Sequence, residues 1–502
     1  MQFGRKVLYT DAKSISKENI ADVLRKVFSD HEVNATEIQK LIEYEAGNQS
    51  KIRNKKYRSD IDNWCVDNVA NEITEFKLSF NWGNPITLAM RDRNDKENTD
   101  IANGIFELNK FYDLQGNRAK QQELARYVEI GGVGYTYIDI NTNYQEGESP
   151  FTIEVLDPRC TFVIRSSYYL DRRIMLSGTF SCDSSNNKRF TCFTDTERFE
   201  LNGVYEHLER SGEANPLGVN PITEWIRSHD RMGCFERQTS EMDNLNLLIS
   251  DFTNDVEQNT QAVWHTNDIE FPKQYVEDEN GNKTEVPTTL KGNSIVQTYT
   301  SQDGKTPVIE TLSIDYDYDG MLQNIITRRA LILQKCNVPS RNDNSGGSTG
   351  VAMSDATGWT QAESEANRQD QIKDVCKLNE VKIVLRAIEK CSGFPLDNPI
   401  RKLHYSDVEA NIPRQKTYEL TTKVNAMCAL IGKGFSLEDT LSIAPLFEDN
   451  NQVLVRSGEG VKKYQESQVF KDEQGEAEEK RPFPDLSDQE TNSPLIGGMT
   501  TK

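Results

Sequence analysis

Histidine is scarce in this 502-residue chain, and its five copies (His31, His207, His229, His265, His404) form no HxxxH, HxH or HExxH pattern. Each therefore reads as an ordinary surface or core residue and not as a metal ligand. Cysteine is thin as well: nine residues, an odd number, run from Cys65 to Cys428, and the closest two, Cys182 and Cys192, have no second pair beside them. A zinc tetrahedron needs ligands paired at short spacing, and a disulfide framework needs a small cysteine-dense chain, so neither is expected. Reducing, cytoplasmic conditions fit. No apolar run approaches the roughly 18 residues that cross a bilayer, and mean hydropathy is −0.68. Met1 to Thr10 lack the apolar stretch of a secretory signal, so a soluble protein that stays where it is made is expected. Positive charge is in deficit too. Lys and Arg total 58 against 79 Asp and Glu, a net −21, which repels free nucleic acid and argues against a sequence-reading DNA binder. What the chain does have is length, enough for about three domains.

Recognisable catalytic motifs are missing in the same way. Gly131-Gly132-Val133-Gly134 stands between a helix and a strand, the reverse of the strand-to-helix order that brings a helix N-terminus to a pyrophosphate. Ser345 to Gly350 lacks the Gly-Lys-Ser/Thr ending of a phosphate loop, Gly432-Lys433-Gly434 lacks its upstream glycine, and no Gly-x-Ser-x-Gly elbow occurs. Asp315-Tyr-Asp317-Tyr-Asp319-Gly320 matches the front half of a calcium loop, but Ile326 stands where the bidentate Glu belongs. Helix capping is the simpler expectation for these aspartates.

Periodicity gives an α+β pattern. Ile20, Val23, Leu24, Val27 and Phe28, then Ile38, Leu41 and Ile42 beyond a cap region at Asn34 to Thr36, predict a helix pair. Further helices are expected over about Ser59 to Phe76 and Asn117 to Ile130. Short strands follow near 135–140, 151–156, 161–164, 174–180, 189–194 and 198–205, a mostly antiparallel unit. Two long helices, Glu236 to Val263 and Asp317 to Cys336, flank a β excursion with turns at Asn280-Gly281 and Gly304. The first carries a polar face, Asp243, Ser250, Asn254, Glu257 and Gln261, which either meets solvent or lines a channel in a closed ring. A capping box at Thr360 and Glu363 opens a helix to about Cys391, stopped by Gly393 and Pro395. After a linker at Asn411 to Pro413 come short helices at Thr417 to Ile431 and Ser436 to Ile443. The polar stretch from about Glu466 to Lys502 reads as disordered.

Several segments, in order, resemble the portal, or head-to-tail connector, proteins of tailed bacteriophages. Leu41-Ile42-Glu43-Tyr44 with Gly47, Gln49 and Ile52 is similar to that family's Leu-x-x-Tyr-(Tyr)-x-Gly-x-Gln, with Glu45 where a second Tyr is frequent. Asn68 to Ile86, closing in Gly83-Asn84-Pro85-Ile86, is similar to its helix ending in Gly-x-Pro-(Val/Ile). Gly134 with Tyr135-Thr136-Tyr137, followed by Leu156-Asp157-Pro158-Arg159, resembles its helix-Gly-strand and next turn. Gly218-Val-Asn-Pro221-Ile222 resembles its Gly-x-(Ile/Val)-Pro-(Ile/Val), with Asn220 in place of the apolar residue. The resemblance spans about residues 10 to 395.

It implies a wing of mostly helices plus an antiparallel β unit (1–235), stem helices (236–263 and 317–336) around a small β-containing clip (264–316), and a tunnel loop (337–359). A long wing helix with its return (360–412), a helical crown (413–465) and a loose tail (466–502) would follow. In the tunnel loop Arg341, Asn342, Asn344, Ser345, Ser348 and Thr349 would face DNA, Arg341 as the one strong phosphate partner. The implied protein is a dodecameric ring at a capsid vertex, a conduit for genome packaging and ejection. It would meet double-stranded DNA without sequence specificity, and the terminase large subunit, scaffolding protein, major capsid protein and a head-completion adaptor. It would need no cofactor, metal or membrane, do no chemistry, and sit in the virion after assembly in the host cytoplasm. The alternatives are a metal-dependent phosphodiesterase using Asp315, Asp317 and Asp319, and another virion assembly protein without a channel.

Overall fold

The computed structural model describes residues 4–49, 61–91, 99–184, 187–260, 263–267, 274–277, 283–286, 308–312, 317–339, 358–414, 420–433, 435 and 440. The chain divides into two units, Met1–Gln415 and Lys416–Lys502. Strand β1 (Leu8–Thr10) leads into α1 (Ile20–Glu45), then α2 (Val69–Trp82), β2 (Thr87–Met90), α3 (Thr99–Leu114) and α4 (Asn117–Gly131). A run of strands follows: β3 (Val133–Ile140), β4 (Phe151–Leu156), β5 (Thr161–Ser166), β6 (Ile174–Cys182), β7 (Lys188–Phe193), β8 (Glu197–Asn202), β9 (Glu213–Ala214) and β10 (Ile222–Ile226). Next are α5 (Thr239–Thr260), β11 (Val263–Asn267), β12 (Gln274–Glu277), β13 (Lys283–Val286), β14 (Val308–Leu312), α6 (Tyr318–Lys335), α7 (Trp359–Lys390) and β15 (Val408–Asn411). In the second unit the described helix is α8 (Leu420–Gly432).

The expected antiparallel unit is two sheets. One has the order β1-β5-β6-β7-β8-β9, antiparallel except for β1, which runs parallel to β5 with Leu8 opposite Ile164. The other is β10-β3-β4. The six-stranded sheet buries one face under α1, where Phe28 meets Phe162, Phe180 and Phe190 edge to face at 5.1–6.0 Å. That arrangement suits the ring quadrupoles and adds to the area term. The three-stranded sheet packs on α4 and α7, and Gly134 of β3 permits the approach: a Cβ there would stand 2.8 Å from Leu124 and 2.9 Å from Val128. β11 pairs with β14, and β12 with β13, both antiparallel. The β12–β13 pairing flanks the expected Asn280-Gly281 turn; that turn and Gly304 lie outside the described residues.

Four expectations need correction. The N-terminal helix pair is one helix, because its polar middle finds partners without a break. Asn34 is buried and its amide brackets Lys6, accepting from Lys6 N and donating to Lys6 O at 2.9 Å each, while Thr36 donates to Glu32 O within the turn at 2.8 Å. The helix predicted from Ser59 starts at Val69 instead. Asn68 caps it, accepting from Asn71 N, and its Nδ2 is held by Glu45 O at 2.7 Å. The third correction concerns α7, which opens at Trp359 after Gly358 in the left-handed region (φ 88) with no side-chain cap, so Thr360 and Glu363 lie inside the helix and not at its cap. The fourth is a set of omissions: α3, whose Ile101, Ile105, Leu108 and Tyr112 keep helical spacing, and the short strands β1, β2, β10 and β15. β15 pairs with β2 across more than 300 residues, with Val408 opposite Met90, a partnership no local pattern announces.

Candidate functional site

The described part of the polar face of α5 binds the extended segment Ile61 to Asn68. Asn254 Oδ1 accepts from Asn63 N (2.8 Å), Ser250 Oγ from Cys65 N (3.0 Å) and Asn246 Oδ1 from Asp67 N (2.9 Å). Alternate amides of an extended chain rise about 6.6 Å, close to the roughly 6 Å between helix positions four apart, so three side chains at i, i+4, i+8 can serve every second amide. Glu257 takes Asn63 Nδ2 and Asp243 takes Tyr44 OH (2.8 Å). Gln261 lies outside the described residues.

The quoted Tyr-x-x-Gly-x-Gln residues act at the head of the same helix. Tyr44 stacks on Phe235 at 6.0 Å, Gly47 takes φ 95, and Gln49 Oε1 accepts from Asn246 Nδ2. Asn220, the departure from the family pattern, is buried and paired: it meets Ser177 and its Oδ1 accepts from Ile222 N (3.2 Å).

Arg341, Asn342, Asn344, Ser345, Ser348 and Thr349 all lie outside the described residues. The flanks of their segment are described, and they adjoin. A Cβ on Gly358 would stand 3.8 Å from Pro339 Cα, so the chain leaves and returns at one place. A buried ionic cluster pins both flanks. Asn337, non-glycine yet left-handed (φ 53), gives its carbonyl to Lys77 Nζ (3.4 Å) and donates from Nδ2 to Glu365 (3.0 Å). Glu365 of α7 also accepts from Lys77 (2.6 Å) and Arg227, and Arg227 Nε reaches Glu129 Oε2 (2.9 Å), which in turn holds Trp82 Nε1 (3.0 Å). Burial opposes the charge on Glu365, and Lys77 and Arg227 outweigh it, so its carboxyl lies below the usual range. Further along α7, Lys373 sits 4.2 Å over the Trp82 ring and donates to Asn81 O (2.7 Å), and Lys377 pairs with Glu380 (2.7 Å). On the outside Trp359 rests on Phe76 and Phe80 of α2, 6.0 and 5.7 Å away. Sequence reasoning missed this cluster; the only signal was Glu365, Gln369, Lys373 and Lys377 at four-residue spacing, which reads as a solvated face.

Asp317 is spent as the cap of α6, accepting from Gly320 N (2.9 Å), and the chain is helical from Tyr318, so a twelve-residue cation loop does not form. Asp315 lies outside the described residues. Among the described residues no three His, Cys, Asp or Glu gather as a metal cluster, and no helix is long and apolar enough to cross a membrane. Burial pushes the thiols of Cys234 and Cys376 up to about 12 and that of Cys336 to about 11, making them poor nucleophiles.

The family model described as "Phage portal protein, SPP1 Gp6-like" matches residues 24–480. The chain belongs to that family. Portal proteins are structural components of phage particles, and the family implies an oligomeric ring. No curated protein matches this chain. Among solved structures it is similar to "Neck of empty GTA particle computed with C6 symmetry", at 12% identity, covering 79% of this chain and 91% of that one with a TM-score of 0.35.

Proposed function

We propose that this portal protein forms a dodecameric ring at one capsid vertex, through whose channel double-stranded DNA is packaged and later ejected. The family match over residues 24–480 carries the reading. One feature of the subunit supports it: α6 leaves Leu322 and Ile326, four residues apart on one side, 45% and 51% exposed, an aliphatic pair that a neighbouring copy in a ring would cover. In this reading 1–235 is the wing, α5 and α6 lie in the stem, 264–316 is the clip and 337–359 the tunnel loop. The long wing helix and its return occupy 360–412, and the crown 413–465. The terminase large subunit, scaffolding protein, major capsid protein and a head-completion adaptor dock on the ring. Twelve copies carry roughly 250 net negative charges, so DNA is not trapped as it passes.

Native mass spectrometry with class-averaged electron microscopy tests the ring: about 690 kDa, twelve copies of a 57.2 kDa chain, around a duplex-wide hole. A ring with no such hole, or a closed assembly of other symmetry in the virion, overturns it. Asn342, Asn344, Ser345, Ser348 and Thr349 offer DNA uncharged hydrogen bonds, and Arg341 is the one strong phosphate partner. Arg341→Ala should leave ring assembly intact and change packaging; loss of the ring in that variant counts against the assignment.

A further inference from the structure

The N-terminal segment is strapped to the turn that opens α5 by one carboxylate. Glu236 accepts from Gly4 N (2.9 Å), Arg5 Nη2 (2.5 Å) and Gly233 N (2.9 Å). The Arg5 side chain is 1% exposed, yet this pairing uses only Nη2: its Nε and Nη1 are buried with no partner. The same guanidinium lines a cavity of about 10 Å³ closed by Leu8, His31, Tyr135, Val163 and Arg231. Orphaned donors on a buried cation are costly, so such groups are normally met by an acceptor.

The charges around the cavity do not balance. Arg231 Nη2 pairs with Glu224 (2.9 Å), and Glu224 also takes Arg165 (2.8 Å), so with Arg5 and Glu236 three guanidinium groups share two carboxylates. Glu37, which Arg5 also feels, is paired with Lys40, and Lys6 turns its ammonium outward to Asp30. His31 adds no charge at neutral pH: burial lowers its pKa to about 4 and its Nε2 meets Arg159 O at 3.1 Å. The unfilled need is one acceptor carrying one negative charge. Its size matters as well: about 10 Å³ is close to the least space that one small occupant needs, which favours a compact anion.

We propose that this cavity binds one monovalent, halide-sized anion, which accepts from Arg5 Nε and Nη1 while Arg231 completes the positive wall. The anion fastens the N-terminal strap to the head of α5. Chloride is the physiological candidate and bromide the probe.

The purified full-length protein is melted in bromide and, at equal ionic strength, in gluconate, which is too large to enter. At a tenfold excess over Kd the wild type should gain about 1–2 °C in bromide. Arg5→Lys, which keeps the charge but loses the Nε and Nη1 donors, should lose that gain. Should Arg5→Lys fail to fold, anomalous diffraction of the bromide-soaked wild type decides alone: a bromine peak within about 3.5 Å of Arg5 Nε is expected. A water at that place, an empty cavity, or an undiminished bromide gain in a folded Arg5→Lys overturns the proposal.

Discussion

Replacing Glu365 by Gln keeps the shape of the side chain and removes its charge, leaving Lys77, 2% exposed, with the Asn337 carbonyl, and Arg227, 12% exposed, with Glu129. Breaking a buried ion pair from one side costs about 3–5 kcal/mol, because the stranded cations remain desolvated. Unfolding entropy is about 2.1 cal/mol/K per residue, so over a unit the size of Met1–Gln415 the loss corresponds to a fall in Tm of about 3–6 °C. Differential scanning calorimetry of wild type and variant at pH 7, at one subunit concentration, reads it directly. The pH dependence supplies a second signature. Burial opposes the Glu365 charge, but Lys77 and Arg227 depress its folded pKa below the unfolded 4.5, so its contribution is full above 4.5 and drains away as pH falls through the folded value. The gap between wild type and Glu365→Gln should therefore close under acid. A variant within 1 °C of wild type at pH 7, or a gap that does not narrow as pH falls below 4.5, refutes the reasoning.

Asn246→Ala should orphan the half-buried Asp67 amide and the buried Gln49 Oε1 together, at a cost of about 1–3 kcal/mol; hydrogen exchange at Asp67 should accelerate, and unchanged protection would show that α5 does not hold the segment through that residue. His31, buried and lowered to about 4, favours the neutral fold, so its contribution is complete above the unfolded 6.5 and is lost as pH falls toward 4. His31→Gln should accordingly flatten the urea-midpoint profile between those pH values by up to about 3 kcal/mol, and an unaltered slope would remove His31 as its cause. Gly132 takes φ 79, and a Cβ there would stand 2.3 Å from Arg231 O; Gly132→Ala should lose at least about 2 kcal/mol, read as a lowered urea midpoint, and a wild-type midpoint would contradict the close approach.

The elements that were legible are those whose signal is local and apolar. α4, β3 to β8, α5, α6 and α7 stand within a few residues of where periodicity puts them, because a stripe of Leu, Ile, Val and Phe can be buried in only one way on a helix or strand. The errors cluster where polar side chains do tertiary work. Asn34 and Thr36 look like a cap from sequence, since both residue types favour the ends of helices; in the fold Lys6, 28 positions earlier, supplies the partner that lets Asn34 sit mid-helix. Cys65 and Val69 keep helical spacing with Ile61, but three side chains of α5 draw this stretch into an extended line, and the helix waits for the Asn68 cap.

The same reason explains why the family motifs were easier to see than their purpose. Tyr44, Gly47, Gln49, Gly134 and Asn220 stood out by identity and order, and in the fold none of them points to a ligand. Tyr44 and Gln49 hold the head of α5, Gly134 admits α4 against β3, and Asn220 ties the turn before β10 to β6. The polar line of α7 carries this further: Glu365, Lys373, Lys377 and Glu380 are all buried or nearly so, each on a partner from another element. An apolar face could slide along its neighbours at little cost, whereas a row of charges each matched to one partner loses several kcal/mol on a shift of one turn. The two flanks of the 340–357 segment enter that row at Asn337 and, through α7, at Glu365, so both described ends of the segment are held by register-specific contacts.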